Sequence, residues 1–165
     1  MLGDQNHVNL EANAGSTMTS FEPKRKNFRD EVLAIHQASA FPHHLGVEIV
    51  RVEPGEVEGI MAARPEMTQH QGVMHAGALI TFLDHVAGMA ACSLTPEGQT
   101  VVSVTLHVSM LRPSTAPFYR TIARVVKAGR QIYVVDSTVL AEGENGSSES
   151  VRATITLMTV PEGKD

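Results

Sequence analysis

The chain has no tryptophan, a single cysteine and no surplus of basic residues. One cysteine, Cys92, cannot close an internal disulfide, and its place in an apolar segment fits a reducing compartment. The formal net charge of -5 argues against nucleic acid as the main partner. No run reaches the roughly 20 apolar residues that a membrane span requires. No basic-then-apolar leader opens the chain either, so a cytoplasmic protein without a membrane partner is expected. No repeat, linker or low-complexity block divides the 165 residues. One domain is therefore expected over residues 21–165, behind a flexible tail at 1–20 that is rich in Asn, Gly, Ser and Thr.

What the sequence does have is concentrated between Gln69 and Cys92, which reads QHQGVMHAGALITFLDHVAGMAAC. From Ala76 to Cys92 there is no Lys, Arg, Glu or Pro, and the residues are mostly Ala, Leu, Ile, Val, Met and Phe. This pattern predicts a helix apolar nearly all round, a core element. Asp84 and His85 beyond its midpoint speak against a membrane span. On a helix, Asp84 shares a face with Ile80, Ala87, Gly88 and Ala91, none of which can neutralise a carboxylate. A buried charge left alone is unfavourable, so Asp84 is either paired from elsewhere or set into a cleft with a chemical task. The small neighbours predict open space and hence a task. The plainer alternative places Asp84 at an exposed edge or on a backbone amide.

Around this helix the chain alternates. Asn27 to Ala40 puts Phe28, Val32 and Ile35 on one helical stripe with Leu33 beside it, an amphipathic helix covering something apolar. From His44 the period becomes two: HLGVEIVRV and EVEGIMAA flank Glu53-Pro54-Gly55 and predict a hairpin. Arg64-Pro65-Glu66-Met67 breaks that pattern before the central helix, and Thr95 to Gly98 predicts a turn after it. Val101 to Leu111 then alternates, with Val102, Val104, Leu106, Val108 and Met110 on one face and Ser103, Thr105, His107 and Ser109 on the other. Pro113 and Pro117 bracket a connection. Phe118–Val126, Gln131–Ala141 and Ser150–Val160 predict three more strands, joined at Lys127-Ala128-Gly129-Arg130 and at Glu144-Asn145-Gly146. Short connections imply antiparallel neighbours, so the expected fold is α+β, an antiparallel sheet wrapped around one long helix. The polar face of the Val101 strand and the sheet edges suggest association with another chain.

The segments GVMHAGALITFLDHVAGMAAC, SVTLHVSMLRPS and VVKAGRQIYVV together resemble the hotdog-fold acyl-CoA thioesterases of the phenylacetate-degradation type, from about His43 to Val160. The family pattern is Asn, then Gly three residues on, then His-Gly-Gly opening the helix, then Asp. Here those positions hold Gln69, Gly72, His75-Ala76-Gly77 and Asp84. The resemblance implies a coenzyme A thioester as substrate, with no separate cofactor and no metal. It implies that the Ala76 N–H at the helix start polarises the thioester carbonyl, where unpaired amides and the helix dipole favour negative charge. Asp84 would then act as general base on water or as nucleophile. Gln69 replaces the family's Asn with a longer side chain. Ala76 brings a Cβ to a glycine position, Ser103 falls where a water-orienting hydroxyl is found, and His75 braces the loop. Ala76 and Asp84 are separated by about 12 Å along one helix, so the resemblance implies a site shared between two subunits, in a homodimer or a dimer of dimers.

Between Val101 and Leu140, Arg112, Arg120, Arg124, Lys127 and Arg130 face only Asp136, a basic stretch in an acidic protein. It could hold the phosphates of coenzyme A near the channel mouth, with Gly72 and Gly77 the further substrate-binding positions that the resemblance implies; the alternative is a solvated face with counter-charges elsewhere. Three rival readings remain. His75 and Asp84 could form the proton-transferring pair of a hotdog dehydratase or hydratase. The domain could bind acyl-CoA without turning it over. His70, His75, Asp84 and His85 could ligate a metal, although they lack zinc spacing.

Overall fold

The structure, a computed structural model, describes residues 21–144 and 146–163. The expected tail at 1–20 lies outside them. Two short helices, α1 (Phe28–Ala38) and α2 (Ala40–His44), precede the hairpin β1 (Val47–Glu53) and β2 (Glu56–Ala62). A single 3₁₀ turn at Pro65–Met67 leads by a loop to α3 (Ala76–Cys92). Four strands follow: β3 (Gln99–Met110), β4 (Phe118–Ala128), β5 (Ile132–Gly143) and β6 (Gly146–Pro161). They form one antiparallel sheet in the order β1-β2-β4-β5-β6-β3, with α3 packed against all six strands. This is the hotdog architecture, with α1 as the additional N-terminal helix.

Helix and sheet meet through an aliphatic core. Phe82, Leu83 and Val86 of α3 are fully buried against Val57, Val135, Val139, Val151 and Ile155. Each such side chain contributes about 1.5–3 kcal/mol on burial. Gly59 of β2 lets the sheet approach α3 closely, since an added Cβ there would stand 2.9 Å from Val86 Cγ2 and 3.1 Å from Phe82 Cε2. Beyond the helix C-terminus, Arg25 donates to the Thr95 carbonyl at 3.0 Å and to Thr95 Oγ1 at 2.8 Å. This ties the segment before α1 to the far end of the core.

Three local expectations are corrected. His44 lies in α2, not in a strand, and β1 begins only after Gly46. The face assignment of β3 also fails, because a bulge at Val104 breaks the pairing with β6: Ser103 stands opposite Leu157, and Thr105 opposite Thr156. An inserted residue flips the faces beyond it. Ser103 therefore shares the helix-facing side with Leu106, Val108 and Met110, which stand opposite Ile155, Ala153 and Val151. Finally, the apolar residues of β3 are covered only in part within the chain: Val101 and Val108 pack against the core. This edge strand leaves Val102, Val104, Leu106 and Met110 exposed by 37 to 53 %.

Candidate active site

Asp84 lies in the third turn of α3, half-buried, on the side of the helix that β3 approaches. Ser103 Oγ donates to its Oδ1 at 2.6 Å, a charge-assisted hydrogen bond. Among the described residues no cation pairs with it. The space expected around it is found only in part. Ala87 and Ala91 are packed away completely, whereas a Cβ on Gly88 would meet nothing within 4 Å. On the half-open strip of the helix, Gly77, Ile80, Thr81 and Asp84 remain accessible.

The helix start is built by His75. Its extended backbone (φ -67, ψ 133) makes it the N-cap, and its Nδ1 accepts the Gly77 N–H at 2.9 Å. Ala78 and Leu79 turn their N–H groups to the His75 carbonyl. The Ala76 N–H has no acceptor among the described residues, and Ala76 is exposed, so this donor points out of the helix start. As the first helical residue, Ala76 takes helical backbone angles, and its Cβ needs no left-handed conformation. Gly77 could not be replaced as freely: its Cβ would lie 3.0 Å from His75 Nδ1.

Gln69 and Gly72 belong to the loop before the helix. Gly72 donates to the Gln69 carbonyl at 2.8 Å and has φ +78, a conformation that favours glycine. The Gln69 side chain is spent locally: its Oε1 accepts the Gln71 N–H at 3.1 Å. Within one chain the site residues thus form two groups, His75, Ala76 and Gly77 at the helix tip and Asp84 with Ser103 further along.

The basic stretch dissolves on folding. Arg120 bonds Glu142 at 2.8 Å and approaches Glu58 at 3.5 Å, while Arg124 pairs with Glu56. Cross-strand neighbours on β2 and β5 supply these counter-charges. Arg112, Lys127 and Arg130 are exposed without ion pairs among the described residues, but they lie at opposite ends of the sheet. Arg112 follows β3 at the Phe118 end, near the start of α3. Lys127 and Arg130 flank the β4–β5 turn at the Gln99 end.

Two features escaped the sequence reading. A cleft of about 340 Å³ opens beside the helix tip, lined by Phe41, Leu45, Met67, His75, Ala78 and Thr81 among others. Deeper along the same helix face, His85 Nε2 lies 2.9 Å from His36 Nδ1, and the His36 ring stacks on His43 at 4.7 Å. Burial and the neighbouring imidazoles push His85 down to about 4, and burial followed by His43 also lowers His36. A signal existed, because His36 sits four residues after Val32 on the apolar stripe of α1. The four residues weighed as metal ligands do not converge: His70 is exposed in the loop before α3, His75 caps the helix, Asp84 meets Ser103, and His85 meets His36. Among the described residues no group of three or more ligand side chains is arranged for a metal.

The sequence model of the thioesterase superfamily matches residues 71–147. A thioesterase family protein from Silicibacter pomeroyi is 31% identical and superposes with a TM-score of 0.80, covering 82% of this chain and 99% of that one. The chain belongs to the thioesterase superfamily. The superfamily match takes in His75, Ala76, Asp84 and Ser103 but begins two residues after Gln69. The proofreading thioesterase EntH of Klebsiella pneumoniae is 33% identical over 88 residues, which is 53% of this chain but only 64% of that protein. Human acyl-coenzyme A thioesterase 13 is 28% identical over 130 residues, 78% of this chain and 83% of that protein. No helix among the described residues is long and apolar enough to cross a membrane.

Proposed function

We propose that this protein hydrolyses acyl thioesters of coenzyme A, at a site completed by a second copy of the chain. The observation that carries the reading is the half-buried Asp84 carboxylate, held by Ser103 at 2.6 Å with no cation paired to it among the described residues. One oxygen is fixed in place, and the other is available to take a proton from water or to attack. The unengaged Ala76 N–H at the helix start supplies the electrophilic partner, aimed at the oxygen on which charge develops. Water adds its hydroxyl to the thioester carbon, the C–S bond breaks, and the thiol leaves with a proton, giving the free acid and coenzyme A. Names borne by similar proteins, EntH as a thioesterase and human acyl-coenzyme A thioesterase 13, support this substrate class.

Geometry supports the second copy. Residues 76 and 84 are about 12 Å apart along α3. Two such helices packed antiparallel about a two-fold near Ile80, midway between them, bring each Asp84 to the other copy's Ala76. Ile80 is half-buried in the single chain, and β3 offers an apolar edge for the same pairing. Antiparallel joining of β3 edges would also carry the second copy's Lys127 and Arg130 toward this chain's Arg112, gathering the three unpaired cations where coenzyme A phosphates could bind.

The test is thiol release from acyl-CoA thioesters by the wild type and by Asp84→Asn. Loss of on the order of 100-fold or more with folding intact is expected for removing the base or nucleophile. Equal rates would remove Asp84 from the mechanism. A dehydratase or hydratase would leave the thiol bound while adding or removing water. A single turnover in ¹⁸O-water identifies a nucleophilic Asp84 whose mixed anhydride is opened by water at the Asp84 carboxyl carbon, because the first acid formed then carries the unlabelled Asp84 oxygen and the label stays on Asp84.

A further inference from the structure

The cleft beside α2 bears on which thioesters this chain accepts; the assignment rests on the hydrolase reading for the chemistry and on its own geometry for the place. Carbon dominates its walls: Phe41 of α2, Leu45 just after it, Met67 of the loop, Ala78 and the methyl of Thr81. The charged residues on its rim are already engaged. Arg64 donates to the His44 carbonyl and stands 3.3 Å from Glu66. From His75 at the helix tip to Thr81, the cleft follows α3 for about 9 Å. On α3 the lining ends at Thr81; the next residue on that face is His85, one turn further on, which is bonded to His36, itself stacked on His43.

A carbonyl held at the Ala76 N–H has its acyl group beside this cleft. The pantetheine arm carries amides that would go unpaired among Phe41, Leu45 and Met67, whereas an alkyl or aryl group loses nothing there. We infer that the cleft between α2 and the start of α3 is the acyl site, and that its end at Thr81 restricts it to short aliphatic or single-ring aryl groups. Phe41, 58 % exposed on the five-residue α2, forms its outer wall.

The experiment compares kcat/KM for acetyl-, hexanoyl-, phenylacetyl- and palmitoyl-CoA in the wild type, Thr81→Leu and Phe41→Ala. Binding of the same four compounds is measured in the Asp84→Asn background. The wild type should favour hexanoyl and phenylacetyl over palmitoyl. Thr81→Leu fills the inner end and should lower both relative to acetyl by about 10-fold or more, the scale of a methylene-sized misfit. Phe41→Ala, at an exposed position that does not endanger folding, should raise palmitoyl relative to hexanoyl. Ratios unmoved by both variants, in turnover and in binding, overturn the acyl site even if Asp84-dependent hydrolysis is found. Conversely, acyl preference in binding that shifts with Thr81→Leu, without thiol release from any compound, keeps the acyl site and removes the hydrolase reading.

Discussion

Ser103 Oγ donates to Asp84 Oδ1 at 2.6 Å only because the Val104 bulge turns Ser103 toward the helix. Strict alternation along β3 would put that hydroxyl with Thr105 and His107, away from α3. If the bond orients the carboxylate, Ser103→Ala should lower kcat by about 10-fold with little change in KM, in line with one hydrogen bond to a charged group. Ser103→Thr, which keeps the hydroxyl, should recover most of the loss. An alanine variant with wild-type kcat would make the bond structural only.

The tip of α3 depends on one close approach. A methyl at Gly77 would meet His75 Nδ1 at 3.0 Å, so Gly77→Ala must push the capping ring aside. Losing an N-cap costs about 1 kcal/mol, which in a chain of this size lowers Tm by roughly 2–4 °C. His75→Ala should have a similar effect on thermal unfolding. Because the same turn aims the Ala76 N–H, Gly77→Ala should also reduce thiol release; full activity at a lowered Tm would show that this amide keeps its aim without the cap.

Acid should loosen the contact between α1, α2 and α3. His36 and His85 lie 2.9 Å apart with His43 stacked on His36, and among the described residues no carboxylate bonds to any of the three rings. Burial holds His85 down at about 4 in the folded protein, below its ordinary 6.5. The unfolded chain therefore binds more protons between those values, and stability rises with pH through that window. The contribution is complete above about pH 6.5 and is lost as the pH falls toward 4. His85→Gln, which keeps a hydrogen-bonding side chain without the titration, should lose less Tm than the wild type between pH 7 and 4.5. Parallel Tm curves would assign the acid sensitivity to other groups.

The central helix was legible down to its ends, Ala76 and Cys92, because an uncharged, proline-free run bounded by loop residues has few other solutions. The hairpins were legible from their turns. The faces of β3 were not, since a bulge is a matter of pairing with β6 and leaves no mark in the alternation itself. Neither was the fate of the basic stretch: Glu56 and Glu58 reach Arg124 and Arg120 through cross-strand register, some sixty residues away in sequence. The five residues of α2 are too few to show a helical period, so Phe41 and the cleft it walls went unseen. That Ala76 and Asp84 share one helix was legible in the sequence; Ser103 was named through the resemblance, and its hydrogen bond to Asp84 became evident only in the fold.

The proposed sharing of the site between two copies makes the sharpest demand. Leu106 faces the helix side of β3 yet is 37 % exposed, so it is covered only if another chain joins this edge. Leu106→Asp sets a charge on that seam, and burying an unpaired carboxylate there is costly enough to oppose association. The residue touches none of the groups assigned to the chemistry, so a folded monomer should retain an intact Asp84–Ser103 pair and still lack a facing Ala76. Sedimentation should show the variant dissociating, and thiol release should fall with the dimer fraction, returning as protein concentration is raised. A monomer that hydrolyses at the wild-type rate would mean that one chain brings its own amide and carboxylate together, which the 12 Å between residues 76 and 84 along a straight helix does not permit without unwinding α3.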